Sequence, residues 1–351
     1  MKMKVSIVIL NYNGQKLLAQ FLPSVLAFSL QPNVEIIVAD NGSTDDSISF
    51  LEKDYATIRL IKLDKNYGFA GGYNHALKQV KSDYFLLLNS DVQVTENWLS
   101  PLINQMEEHL EIAACQPKIL SLAQPKKFEH AGACGGFIDK YGYPFCRGRV
   151  FTTLEQDNGQ YDTITDIFWA SGACLLIRSS LFFEMGGFDD TFFAHMEEID
   201  LCWRLKNRGY RIVCVPQSAI YHVGGGSLDS KNVRKTYLNF RNNWLMLYKN
   251  MTDKELRPIY FFRFFFDYIA AFQMIVTFQR GHAYQVWKAR HDFKMMRPHY
   301  VALRIENQKK KTITAPTGIL NRSLVLAYHL FRKKRFDQLT DSICSFTNKE
   351  P

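Results

Sequence analysis

The 351-residue sequence contains no Cys-x-x-Cys pair; its seven cysteines, Cys115, Cys134, Cys146, Cys174, Cys202, Cys214 and Cys344, are scattered and odd in number. That pattern argues against a disulfide framework and a structural zinc site, and it fits a reducing cytosol. An uncharged apolar run of the ~20 residues needed to span a bilayer is also lacking. The most apolar stretch, 259–272, is interrupted by Arg263 and Asp267. The run 5–10 is too short for a signal-peptide core and has no small-residue cleavage site, so export is not expected. Acidic residues are scarce at one end only: residues 231–351 carry 23 basic against 8 acidic side chains, whereas 1–230 carry 20 against 26. A basic last third suggests either an anionic membrane surface or a solvated charged face. No nucleic-acid partner is expected, because no recognised binding module accompanies the charge.

What is present is an ordered alternation. Runs 5–10 and 34–39 are continuously apolar and end in Asn11-Tyr12-Asn13-Gly14 and Asp40-Asn41-Gly42-Ser43. Residues 15–29 have helical apolar spacing, and Ser43-Thr44-Asp45-Asp46 opens a second helix. A strand over 58–63, a glycine-rich turn leading into a helix over 66–77, and a strand over 84–88 follow. This β-α-β-α-β-α-β order predicts an α/β, Rossmann-like, mostly parallel sheet flanked by helices, with ligands at the strand C-terminal ends. The last of these strands delivers Asp91, and a second acidic cluster, Glu197-Glu198-Ile199-Asp200, opens a helix about a hundred residues later. Carboxylates so placed suit an enzyme that gathers charge around a metal and a substrate.

Five ordered segments carry a more specific signal. They are the opening 5–14, Val38-Ala39-Asp40-Asn41-Gly42-Ser43-Thr44-Asp45, the loop 66–74, Leu87-Leu88-Asn89-Ser90-Asp91, and a block running from Trp169-Ala170-Ser171-Gly172 through Glu197-Glu198-Ile199-Asp200 to Tyr221-His222. Together they resemble family-2 glycosyltransferases of the GT-A fold, in the rhamnosyltransferase-like branch. The resemblance implies a GT-A domain over 1–230, its nucleotide-binding part about 1–95, followed by a helical region over 231–351. It implies inverting transfer of a sugar from a nucleoside-diphosphate donor, dTDP-rhamnose-like or UDP-hexose, to a hydroxyl of a saccharide or lipid-linked saccharide in cell-surface polysaccharide assembly. It also implies a divalent cation, Mg²⁺ or Mn²⁺.

Residue by residue, the resemblance makes Asp40 an acceptor for a pyrimidine imide N–H; read by itself, it is a turn acceptor at a strand end. Asn41 is either a ligand contact or a turn residue. Gly68 and Gly71 let backbone approach a pyrophosphate, or simply make a flexible turn. Asn11, Asn74, Asn89, Trp169 and Glu197 complete the implied donor-binding set. Asn89-Ser90-Asp91 stands where the family has its D-x-D motif, which makes Asp91 the stronger metal ligand, with His222 as a second. Gly224-Gly225-Gly226 beside it reads as a mobile loop closing over the donor. Glu198, the second acid of its pair, is the implied general base that takes the proton from the acceptor hydroxyl. Asp200 is placed to support Arg204 at i,i+4.

The aromatic stretch 259–272 with its basic flanks fits a helix lying in the interface of the cytoplasmic leaflet, a homodimer contact, or packing on the catalytic domain. Two other functions compete. A nucleotidyltransferase would need a glycine-rich loop with a basic residue after the first strand, which Asn11-Tyr12-Asn13-Gly14-Gln15 does not supply. A non-catalytic sugar-binding protein is opposed by the joint presence of Asp40, Asp91, Glu198 and His222.

Overall fold

Four apolar runs lie side by side in the computed structural model, which describes residues 4–224, 232–340 and 343. They are β1 (Val5–Asn11), β2 (Val34–Asp40), β3 (Arg59–Lys62) and β4 (Tyr84–Asn89), connected through α1 (Gln15–Ser29), α2 (Ser47–Asp54) and α3 (Gly68–Leu77). β1 pairs in parallel with both β2 and β4, and β3 extends β2. Both faces of β1 and β4 are covered, which is why their sequences are continuously apolar rather than alternating. The register sets Asn11 opposite Asp40 and Leu10 opposite Asn89, so the polar strand ends share one edge.

The chain continues through β5 (Val92–Val94), α4 (Leu99–Glu108), β6 (Ile112–Ser121), five short strands β7 (Gly136–Asp139), β8 (Pro144–Cys146), β9 (Arg149–Val150), β10 (Thr153–Leu154) and β11 (Thr165–Asp166), then β12 (Cys174–Arg178), α5 (Ser179–Glu184), α6 (Glu197–Asn207) and β13 (Arg211–His222). The main sheet runs β11-β13-β6-β12-β4-β1-β2-β3, with β5 on β13. Its parallel half thus continues into a mixed half, where β12 lies antiparallel between β4 and β6. β13 is one strand with an irregularity between Val215 and Ala219.

The last third is mainly helical, as α7 (Val233–Asn250), α8 (Asp253–Val276), α9 (Arg280–Lys309) and α10 (Leu324–His329), with β14 (Ile319–Leu320) between. It packs on the rest of the chain. β14 joins β7 in parallel in a second, smaller sheet. The Leu324 amide donates to Asp139 Oδ2 (2.8 Å) and the Phe336 amide to Glu155 Oε1 (2.9 Å). The cause lies in α6, which is buried from Ile199 to Asn207 and therefore needs cover on every side. α7 and the 312–317 segment supply it: Lys206, its ammonium shifted down to about 8 by burial, donates to Thr317 Oγ1 (2.8 Å). Asp200 bonds Arg204 (2.9 Å) as expected, and also Lys249 (2.9 Å) and Asn250 (2.8 Å) of α7.

Candidate active site

β5 pairs with the end of β13 so that Val92 faces His222, which fixes the neighbouring Asp91 beside the imidazole. His222 Nε2 lies 3.0 Å from Asp91 Oδ1, and Nδ1 lies 3.4 Å from Glu129 Oε2. All three side chains are buried. Burial opposes charging of the imidazole, but the two carboxylates outweigh it and hold its pKa up to about 10. Asn89 Nδ2 stands 3.5 Å from the same Nε2. Among the described residues no group of three or more His, Cys, Asp and Glu side chains forms a complete metal cage. The carboxylate of Asp91 and, once it has given up its proton, the imidazole of His222 are donors that fit a hard divalent cation whose remaining positions come from substrate phosphate and water.

The same cavity, of about 310 Å³, is also lined by Trp169, Glu197 and Glu198. Oε2 of each glutamate is buried without a hydrogen-bond partner among the described residues. Burial pushes the Glu198 carboxyl up to about 7. Burial and the adjacent Glu198 charge push Glu197 well above the ordinary carboxylate range. Two coupled acids held apart in this way suit a proton-sharing pair in which one member ionises near neutrality. Trp169 is a wall of this cavity, its indole N–H spent on Phe137 O (2.9 Å).

The approach to α6 is strained, with positive φ at Phe193 (63°), His195 (71°) and Met196 (75°). Such residues cost ~1–3 kcal/mol each and persist only when the surroundings impose them. Asn242, buried on α7, does so: its Nδ2 donates to the carbonyls of Phe192 (2.9 Å), Ala194 (2.9 Å) and His195 (2.8 Å). Asn242→Ala leaves the Ala194 and His195 carbonyls without this donor, so we expect a loss of about 1–3 kcal/mol of stability and a fall in kcat of tenfold or more as Glu198 loses its fixed position. Thermal unfolding and steady-state kinetics check this; a lower melting temperature with unchanged kcat would make Asn242 structural only.

The structure separates the rest of the expected donor set from this cavity. Asp40 is fully buried and its two oxygens accept from Asn11 Nδ2 (3.0 Å) and the Ser43 amide (2.9 Å), bonds that hold the turn after β2. Asn11 holds that same turn. Asn41 is likewise a turn residue, donating to Gly68 O (2.9 Å) and accepting from the Tyr67 amide (3.1 Å). Gly68 and Gly71 open α3 itself rather than a free loop. The amides of Phe69 (2.6 Å) and Ala70 (3.2 Å) there are spent on Phe193 O, and a Cβ on Gly68, whose φ is +74°, would lie 2.4 Å from that oxygen. Gly68 therefore packs closely against the Phe193 loop, whereas a Cβ on Gly71 would meet Tyr67 Cβ at 3.0 Å. Asn74 is also diverted, clamping Phe188 through its backbone oxygen (2.8 Å) and amide (3.0 Å). Of the glycine run 224–226, Gly225 and Gly226 lie outside the described residues.

Sequence reading missed Glu129 and Arg149. Glu129 stands in an ordinary loop segment, Phe128-Glu129-His130, and only the return of β13 beside β6 brings His222 to it. Arg149, buried on β9, lines the cavity from the smaller sheet, where no motif announces it.

A mixed sheet with acids at its strand ends and a helix-opening acidic pair facing the same cavity defines a GT-A type sugar-transferring fold. The solved structure of GalNAc-T7 with UDP, GalNAc and Mn²⁺ superimposes with a TM-score of 0.59 at 14% identity, over 90% of this chain and 59% of that one, a likeness of fold alone. Residues 6–180 match the family profile "Glycosyl transferase family 2". The chain belongs to that family, in its rhamnosyltransferase-like branch. It is 29% identical over 225 residues to the O-antigen biosynthesis protein RfbC of Myxococcus xanthus, matching 62% of this chain but only 17% of that protein. It is 27% identical over 230 residues to the N-acetylglucosaminyl-diphospho-decaprenol L-rhamnosyltransferase of Mycobacterium tuberculosis, covering 62% of this chain and 75% of that enzyme.

Proposed function

We propose that this protein is an inverting glycosyltransferase that moves a deoxyhexose or hexose, of the dTDP-rhamnose or UDP-hexose type, from a nucleoside diphosphate to a hydroxyl of a saccharide or lipid-linked saccharide in cell-surface polysaccharide or O-antigen assembly. The observation that carries this reading is the single cavity joining Asp91 and His222 to Glu197 and Glu198.

In this reading Glu198 accepts the proton of the acceptor hydroxyl as its oxygen bonds to the anomeric carbon. Glu197, kept protonated, donates a hydrogen bond within the cavity. Trp169 walls the sugar and excludes water. Asp91 and His222, with Asn89 beside them, would hold Mg²⁺ or Mn²⁺, which when bound neutralises charge on the leaving diphosphate. Asn11, Asp40 and Asn41 shape the strand-end turns on the nucleotide side. The acceptor reading places the enzyme at the inner face of the cytoplasmic membrane.

Donor binding to the native state raises apparent stability. A thermal-shift screen with UDP-, dTDP- and GDP-sugars, with and without Mn²⁺, is expected to show a metal-dependent rise for one nucleotide class. Absence of any shift in folded protein, together with no release of nucleoside diphosphate on adding acceptor, would favour a non-catalytic member of the fold.

A further inference from the structure

Between Arg257 and Arg280 the only charged residues are Arg263 and Asp267. Both turn inward, 2% and 0% exposed, paired at 3.0 Å, with Arg263 donating to Tyr141 O (2.9 Å) and Trp244 Nε1 donating to Asp267 (2.9 Å). The charges that seemed to interrupt the aromatic stretch are therefore absent from its outer face. What remains outside is Phe261 (62% exposed), Phe265 (48%), Ile269 (62%), Phe272 (66%), Val276 (58%) and, just past the helix, Phe278 (88%). Spacings of four, four, three and four residues set the first five on one stripe of α8, about 22 Å long at the α-helical rise. A contiguous apolar stripe of this size marks an interaction surface. With its other face fixed in the core and packed on α9, α8 is placed to lie along a surface rather than cross a bilayer.

The stripe adjoins a cationic cavity. Phe262 packs on Tyr141, ring centroids 5.2 Å apart. Tyr141 in turn walls a cavity of about 640 Å³ that also holds Lys140, Arg322 and Lys333, with Leu326 and Phe331 at its apolar side. No acidic side chain lines it, and none of the three cations has an ion-pair partner among the described residues. Uncompensated cations beside an exposed apolar band are complementary to a surface that offers both acyl chains and phosphate. A second copy of this chain is a poorer match, because the same cavity of a partner copy brings no carboxylate to these cations.

We propose that this face docks on an anionic membrane, with the α8 stripe entering the headgroup–acyl boundary and Lys140, Arg322 and Lys333 receiving the phosphate of a phospholipid. The inference rests on the membrane placement proposed above and deepens it; docking itself needs no turnover.

The test is sedimentation of the full chain with vesicles of phosphatidylcholine alone or mixed with phosphatidylglycerol. Binding is expected to be at least tenfold tighter to the anionic vesicles and to weaken as salt is raised. The triple variant Phe261→Ser, Phe265→Ser, Phe272→Ser should lose binding to both. Lys140→Gln, Arg322→Gln, Lys333→Gln should lose the anionic preference alone. All six positions lie away from the active site, so turnover on a water-soluble acceptor should persist; its loss in wild type with docking intact would count against the transferase reading instead. Equal binding to both vesicle types, or none by folded protein, would overturn the proposal. So would a concentration-dependent dimer that the Phe variant abolishes, which assigns the stripe to a second copy, or calorimetric binding of inorganic phosphate as tight as lipid, which assigns the cavity to a soluble anion.

Discussion

Glu198→Gln is expected to lower kcat by about 10²- to 10⁴-fold, the usual yield of a positioned general base, while donor affinity measured by calorimetry stays within a few-fold of wild type. The substitution keeps the shape of the side chain and removes only its ability to take a proton. Near-wild-type turnover in the purified variant would move the base role to Glu197. The pH profile gives an independent check. Burial raises the Glu198 pKa from 4.5 to about 7, so the ionised, competent form accumulates only as pH rises through about 7. kcat/KM is therefore expected to climb between about pH 6 and 8 with an inflection near 7. The stability linkage has the opposite sign. A carboxyl whose folded pKa lies above its unfolded value stabilises the fold below about 4.5, and that contribution is lost as pH rises through about 7. Activity and this part of the stability should thus move in opposite directions over the same window.

Asp91→Ala should abolish metal-dependent donor binding, with the Mn²⁺-dependent component of affinity falling at least tenfold and turnover falling with it. Asp91 contributes the carboxylate of the proposed metal set, and its Oδ1 is also one of the two acceptors holding His222. Its loss leaves the imidazole facing Glu129 alone, across 3.4 Å. Calorimetry in saturating Mn²⁺ that shows unchanged donor affinity would remove Asp91 from the metal-binding role. Glu129→Gln is the informative companion: it keeps Asp91 and removes only the second charge on His222, so donor binding should weaken less than in Asp91→Ala.

The sequence by itself determined the elements of the first ninety residues and their order. Continuous apolar runs ending in polar turns could only be strands covered on both faces, and helical spacing over 15–29 gave α1 (Gln15–Ser29) to the residue. Asp91 at the end of an apolar strand and Glu197-Glu198 at a helix start are local patterns legible in the sequence, and the fold brings them to one cavity. The tertiary structure decided how those residues are used. Asp40, Asn41, Gly68 and Asn74 match a donor-binding pattern in one dimension, yet their hydrogen bonds and close contacts go to neighbouring loops, since a buried polar group takes whichever partner the fold brings near. Glu129 and Asn242 became site residues only through distant pairing, the one by the return of β13 and the other by α7 closing over the Phe193 loop. The charges of Arg263 and Asp267 were visible in the sequence, but their direction was not. Packing against Trp244 and Tyr141 turned them inward, and that left the outer face of α8 uncharged.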